Sequence, residues 1–377
     1  MAHTKQQTTS GPAIGGELPT APVAQFEIHY TQFLDHLGIV AQPLPPFARD
    51  PQNLIPLYRA MVLTRLFDRK ATALQRTGQL GTYASSLGQE AISVALGSVM
   101  RPEDVLLPSY RECGAQFLRG VPMKHILLFW GGDERGMDYP KPRHDFPMCI
   151  PVASQAPHAV GVAFAIQLRK EARVAVCVLG DGASSKGDFY EAINLAGVWQ
   201  LPVIFIISDN QWAISVPRQA QSRAQTLAQK AIAAGFPGEQ VDGNDVIAVR
   251  TRVGRALDGA RKGEGPRLIE ALTYRMCDHT TADDASRYRS DQKLAQQELY
   301  DPIKRLYGYL TASGAWTDQD EQDCQAASAA KIDEAVKDYL STESQPPESI
   351  FDYLYESLPT ALVDQRQAVR TPGINDG

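Results

Sequence analysis

The chain has 377 residues, 44% of them hydrophobic and 21% charged, with a formal net charge of -6. That length holds one large or two ordinary domains with a real buried core, and the composition is that of a soluble globular protein. The acidic balance argues against a nucleic-acid binder, which normally carries a basic surplus.

Residues up to about Ala24 are polar and rich in Gly, Pro and Thr, which predicts a flexible tail. They lack the apolar core of a signal peptide and the Arg-rich pattern of a transit peptide. No apolar run approaches the roughly 20 residues that span a membrane, so the cytoplasm is the expected location. Cys113, Cys149, Cys177, Cys277 and Cys324 stand far apart with no CxxC pair, which suits reduced thiols better than a disulfide framework or a zinc site.

After the linker-like AQPLPPFARDPQ, the stretch LIPLYRAMVLTRLFDRKATALQRTG carries Leu54, Leu57, Met61, Leu63 and Leu66 at helical spacing, with Gly78 as its stop. GTYASSLGQEA breaks that pattern and opens a second helix, AISVALGSVM. DVLLPSYRECG predicts a short strand running into a polar loop. CIPVASQAPHAVGVAFAIQLRK predicts a turn and then an almost uncharged, small-residue helix, expected to be deeply buried. VAVCVL and PVIFIIS have the apolar, β-branched character of central parallel strands, and DFYEAINLAGVW between them makes a βαβ unit.

The alternation continues: LAQKAIAAG helical, GEQVDG a loop, DVIAVRTRVGRALDGARKG a helix, RLIEALTYRM a strand and CDHTTADDASRYRS a polar loop. From about Asp291 the pattern is helical and polar, ending in a loose tail, QAVRTPGINDG. The class is α/β, a mainly parallel sheet with helices on both faces. Residues 1–50 are expected as tail and arm, 51–290 as the α/β domain that holds the site, and 291–377 as a helical segment and loose tail.

The first of the two buried strands ends in Gly180-Asp181-Gly182 and the second in Asp209-Asn210. A dinucleotide fingerprint, G-x-G-x-x-G, fails because position 185 is Ser and the next glycine is Gly187. A P-loop fails because Asp188 and Phe189 follow Gly187 where Lys and Ser/Thr are needed. A carboxylate beside a diphosphate is tolerable when a divalent cation lies between them. Mg²⁺ takes oxygen ligands and shares itself between one or two protein groups and phosphate oxygens. Asp181 supplies a carboxylate and Asn210 an amide oxygen at neighbouring carboxyl ends of the sheet, where ligands of such folds bind. Gly180 and Gly182 permit close backbone approach, and the helix starting near Lys186 turns its amide-rich end to the site. Either half alone is more often a turn or a helix cap; the two together, each after a buried strand, favour a metal-bridged diphosphate.

This Gly-Asp-Gly with its later Asn resembles the thiamine-diphosphate motif. TGQLGTYASSLGQEA, PSYRECG, PVASQAPHAVGVA, GDGASSKGDFYEAIN, DNQWAIS, VDGNDVIAV and TYRMCDHTTADDASRYRS are, in this order, similar to the α subunit of the decarboxylating component of 2-oxo acid dehydrogenase complexes. The resemblance spans roughly Leu54 to Arg289. It implies a thiamine-diphosphate fold and an enzyme, with Asp181, Asn210 and the Trp212 carbonyl as Mg²⁺ ligands. It further implies Gly182, Ala183, Tyr110 and Arg111 on the diphosphate, the backbone around Ile150 and Val152 on the aminopyrimidine, and Ser154 and Gln155 at a structural K⁺. His279 takes the place of the family's loop histidine, at once cofactor-binding and catalytic in acyl transfer to a lipoyl group. Asp284, Tyr288 and Arg289 belong to its loop, which Arg275 helps to anchor.

Two departures stand out. Ser208 replaces a phosphate-contacting Arg of some branched-chain members, and Thr280 replaces the serine phosphorylated in mitochondrial ones, so neither that contact nor kinase control carries over. The glutamate that activates the cofactor is expected on a separate β subunit, because Glu90 of LGQEA reads as a structural acid at a helix start. The resemblance therefore implies an α₂β₂ heterotetramer serving a lipoyl-bearing acyltransferase. GTYASSLGQEA and SYRECG lean towards pyruvate, with Ala84, Ser85 and Ser86 near the substrate entrance. PVASQAPHAVG and DDASRYRS lean towards branched-chain 2-oxo acids, and acetoin is a third option. The competing class, a non-catalytic nucleotide-binding regulatory protein, predicts damage to the metal pair or to Arg111, and none is seen in the sequence.

Overall fold

The computed structural model describes residues 23–369; most of the expected N-terminal tail, and the end of the C-terminal one from residue 370, lie outside the described residues. Six parallel strands form the main sheet, in the spatial order Tyr30–Thr31, Gly238–Asp242, Arg267–Leu272, Val203–Asp209, Ala175–Gly180 and Val105–Leu107. The α/β class and the helices on both faces are as expected.

Alternation along the central strands explains the layers. Val176, Val178, Ile204 and Ile206 face one core with Val249 and Val253 of helix Val246–Arg261. Cys177, Leu179, Phe205 and Ile207 face another with Ala159 and Ala163 of helix Gln155–Leu168 and Phe189 of helix Gly187–Trp199. Successive side chains of a strand point to opposite faces, so a strand buried on both sides reads as one apolar run.

The long helix Ile55–Arg76 packs beneath the first core, and its buried Arg65 ties three segments together. Arg65 binds the Glu90 carboxylate in a fork, Nη2 to Oε2 at 2.9 Å, and donates from Nη1 to Asp301 at 2.9 Å. Glu90 is wholly buried and also accepts from the Gly88 N–H at 3.1 Å. It is the structural acid that the sequence suggested.

Several elements differ from the sequence expectation. GEQVDG is not a loop: Gly238–Asp242 is a strand. Its polar side chains are satisfied laterally, Gln240 by Glu270 at 3.1 Å and Asp242 by Arg305 at 2.6 Å, so it carries no apolar run. Tyr30–Thr31 pairs beside it, and the backbone N–H groups of Phe33 and Leu34 donate to Asp245 at 2.6 and 2.9 Å. SYRECG turns helical at once, in Cys113–Arg119. Helix Gln155–Leu168 is buried along one face only, leaving Pro157, His158, Gly161 and Leu168 exposed. Its lack of charge reflects an apolar outer face as well as a core face. The expected loose tail is helical as far as it is described, since Gln367 and Ala368 lie within Thr360–Val369.

Replacing Arg65 by Met leaves two carboxylates buried without their cation. Denaturant unfolding is expected to show a loss of roughly 3–5 kcal/mol, against little change for the exposed pair partner Lys70→Met.

Candidate active site

Gly180 pairs in register with Ser208, so Asp181 and Asn210 emerge side by side at the carboxyl edge of the sheet. They border a cavity of about 310 Å³ that Gly182, Ala183 and Trp212 also line. Tyr110, Arg111, Val152 and His279 of the expected set line the same space. Ile150 stands outside the lining, half exposed at the rim, and of the Ser154–Gln155 pair only Gln155 reaches the cavity. Ala84, Ser85 and Ser86 lie behind the cavity wall, where the Ser85 carbonyl accepts from the Arg111 guanidinium. They are buried, with Ser85 Oγ donating to Asp68 at 2.6 Å and the Ser86 N–H to the same carboxylate at 2.7 Å.

The two glycines act differently. A Cβ on Gly182 would meet the Ala213 Cβ at 2.6 Å, so the turn is closed by the loop after Asn210. A Cβ on Gly180 would meet no protein atom within 4 Å, which leaves room for a ligand beside Asp181. The turn Gly182–Ser185 is braced from below by Lys230, whose Nζ donates to Ser184 O and, at 2.9 Å, to Ser184 Oγ.

Asp181 is 2% exposed and its carboxylate Oδ2 accepts from Gln221 Nε2 at 3.0 Å. No cationic side chain pairs with it among the described residues; the nearby Arg218 faces Asp209 at 3.4 Å. Burial therefore pushes the Asp181 carboxyl up, against the pull of Gln221. On the next strand Asn210 Oδ1 accepts from the Trp212 N–H at 3.2 Å, and Asn210 Nδ2 donates to Gln89 Oε1 at 3.2 Å. One carboxylate, one amide oxygen and adjacent backbone make a sparse oxygen site of the kind that Mg²⁺ shares with phosphate oxygens.

The opposite wall is cationic. Arg111 Nη2 donates to the His279 carbonyl at 2.8 Å and approaches His279 Nδ1 at 3.3 Å, while Arg275 Nη1 lies 3.5 Å from the same nitrogen. A guanidinium can only donate, so Nδ1 is the acceptor and the ring proton sits on Nε2. Burial first, then Arg111 and Arg275, push the His279 pKa down from 6.5 to about 4. The histidine loop is held from behind: Arg275, wholly buried, donates to Ile214 O at 2.9 Å and to the Tyr288 hydroxyl at 2.7 Å. Tyr288 OH donates to Asp283, which accepts the His279 N–H at 2.9 Å, and Arg289 Nη1 donates to Cys277 O at 3.0 Å. Asp284 caps a turn of the same loop, accepting from Ser286 N at 3.2 Å, away from the cavity.

Three residues of the site were missed. Glu112 lines the cavity, buried, and accepts from Ser109 Oγ at 2.9 Å; it directly follows the Tyr-Arg pair, which was its only signal. Gln89 is masked in the sequence by its acidic neighbour Glu90, and Gln221 carries no local signal at all.

A family model described as "Dehydrogenase E1 component" matches residues 58–348. The chain belongs to the dehydrogenase E1 component family. The pyruvate dehydrogenase E1 component subunit alpha of Staphylococcus aureus (strain Mu50 / ATCC 700699) is 40% identical over 343 residues, covering 90% of this chain and 92% of that protein. The same-named protein of Staphylococcus epidermidis (strain ATCC 12228 / FDA PCI 1200) gives the same identity and coverage. This E1 component is thus part of a thiamine-diphosphate-dependent 2-oxo acid dehydrogenase, an oxidoreductase that works with further subunits. Among the described residues no helix is long and apolar enough to cross a membrane.

The neutral state of His279 has a pH dependence that can be tested. Its depressed pKa contributes stability that is present above 6.5 and lost as pH falls towards about 4. An NMR titration of the ring is expected to give a midpoint near 4, and Arg111→Met should move it up towards 6.5.

Proposed function

We propose that this chain is the α subunit of a pyruvate dehydrogenase (acetyl-transferring) and that it holds Mg²⁺–thiamine diphosphate in the cavity between Asp181 and His279. The observation that carries the reading is the buried, cation-free Asp181 carboxylate beside the Asn210 amide oxygen, facing Arg111 across that cavity. A diphosphate with its divalent cation supplies both charges that these walls lack. Asp181, Asn210 and the Trp212 carbonyl would hold the cation, and Arg111, with Tyr110 and the backbone at Gly182 and Ala183, the diphosphate oxygens. The aminopyrimidine would lie towards the rim formed by Val152 and the backbone near Ile150. Gln155 Oε1, buried without a protein partner, is an oxygen that a K⁺ near Ser154 would use.

When bound, thiamine diphosphate supplies a carbon that adds to the 2-carbonyl of an oxo acid and a ring that takes up the electron pair left by CO₂. The chain's own residues bind and orient. Its neutral His279, proton on Nε2, keeps one donor that the two arginines do not occupy, which would suit steadying oxygen charge during acyl transfer to a lipoyl group.

Two observations favour a β subunit that completes the site. The carboxylates lining the cavity are Asp181 and Glu112, and Glu112 is spent on Ser109 and the Arg111 N–H, so no free acid remains for the aminopyrimidine. Around the mouth Ile150, Val152, Ile214 and Val216 are exposed, as are Tyr190, Val198 and Trp199 on the neighbouring helix. Exposed apolar side chains at the mouth of a site are the kind of surface that a partner subunit would cover. Such a surface suits an α₂β₂ assembly that passes its acyl group to a lipoyl-bearing acyltransferase. Pyruvate is favoured over branched-chain acids by the named relatives, both pyruvate dehydrogenase subunits.

Reduction of an artificial electron acceptor by the co-expressed α and β chains, with thiamine diphosphate, Mg²⁺ and each substrate in turn, tests this directly. Pyruvate is expected to be turned over faster than 2-oxoisovalerate or acetoin; preference for either of those would overturn the substrate. Asp181→Ala is expected to abolish Mg²⁺-dependent cofactor binding, measured by calorimetry. Because burial raises the Asp181 pKa, the native protein should bind the cofactor more tightly as pH rises through that shifted range.

A further inference from the structure

Resting on the metal–diphosphate reading above, we propose that Gln89 and Gln221 are positioning residues, each setting one of the two side-chain ligands of the cation. Gln221 Nε2 donates to Asp181 Oδ2 at 3.0 Å and to the Val216 carbonyl at 3.2 Å, which fixes the carboxylate plane and leaves Oδ1 for the metal. Gln89 Oε1 accepts from Ser208 Oγ at 3.1 Å and from Asn210 Nδ2 at 3.2 Å. An Asn side chain can turn either its oxygen or its nitrogen to a given direction. Gln89 takes the nitrogen and the Trp212 N–H meets the oxygen at 3.2 Å, so one lone pair of Oδ1 is left facing the site.

Each glutamine also keeps one buried amide atom without a protein partner, Nε2 of Gln89 and Oε1 of Gln221. Leaving such atoms unmet costs free energy. The unmet Nε2 of Gln89, on the cavity wall, points to a partner that arrives with the ligand; Gln221 lines a separate surface cleft and reaches the site only through Asp181. Gln89 lines the cavity itself, so its free Nε2–H suits a phosphate oxygen.

Groups that orient metal ligands typically contribute about 10- to 100-fold in metal affinity. Thiamine diphosphate would be titrated calorimetrically into the co-expressed α/β assembly at graded Mg²⁺ concentrations, giving the Mg²⁺ level for half-maximal binding. Gln89→Met and Gln221→Met, close in volume to the native side chains, are each expected to raise that level by about 10- to 100-fold. A second measurement separates orientation from general damage. An aspartate at position 210 has two equivalent oxygens, so in the Asn210→Asp background Gln89→Met should add little further shift. Half-saturation at the native Mg²⁺ level in both glutamine variants, with Asp181→Ala still shifted, would overturn the glutamine roles alone. An undiminished Mg²⁺ response in Asp181→Ala would overturn the metal reading on which they rest. If Gln221→Met unfolds, the Gln89 and Asn210 cycle decides.

Discussion

A carboxylate taken out of water must be neutralised by a proton or a positive charge, and among the described residues no cationic side chain forms an ion pair with Asp181. The buried strand Ala175–Gly180 delivers the group to the carboxyl edge of the sheet, and the turn that follows shuts it away from solvent. The two cations nearby are committed elsewhere, Arg218 to Asp209 and Lys230 to Ser184. With its pKa raised by burial, the cofactor-free fold is favoured below the ordinary carboxyl range and loses that advantage as pH rises through the shifted value. A divalent cation reverses this balance, because it draws the carboxylate into the ionised form and brings a diphosphate with it. On the proposed metal–diphosphate reading, the room beside Gly180 and the amide groups that fix Asp181 and Asn210 serve that same need.

The facing wall solves the opposite problem. Arg111 and Arg275 crowd one imidazole nitrogen, which keeps His279 neutral and dictates its tautomer. Neither arginine has a carboxylate within salt-bridge reach among the described residues, so the proposed pair of ligands would lower the electrostatic cost on both sides, the divalent cation at Asp181 and the diphosphate at Arg111. The loop carrying His279 is tied to the rest of the chain by Thr281, whose N–H donates to the Tyr83 carbonyl at 2.8 Å. The histidine is thus placed by the GTYASS segment, whose Ala84, Ser85 and Ser86 the sequence puts near the substrate entrance. That segment acts as a buttress because Asp68 turns its hydroxyls inward.

What was legible in the sequence was what a periodic or contiguous signal can carry. The strands around Val176 and Ile204 are buried on both faces and so read as unbroken apolar runs, and Asp181 and Asn210 sit at their ends. Gly238–Asp242 was illegible because its stability comes from partners distant in the chain, Glu270 and Arg305, and not from its own hydrophobicity. Gln221 was illegible for the same reason, since it meets Asp181 only after the Trp212–Pro217 hairpin folds back. The exposed side of Gln155–Leu168 was misjudged because an uncharged helix looks alike whether a core or another subunit covers it.

Anomalous diffraction from crystals of the α/β assembly grown with thiamine diphosphate and Mn²⁺ would test the central claim most directly. The account predicts a single Mn²⁺ peak between the Asp181 carboxylate and the Asn210 oxygen, at about 2.1–2.2 Å from each, close to the octahedral distances of Mg²⁺. A cofactor bound in the cavity with no metal at Asp181, or with the metal held by other residues, would contradict it.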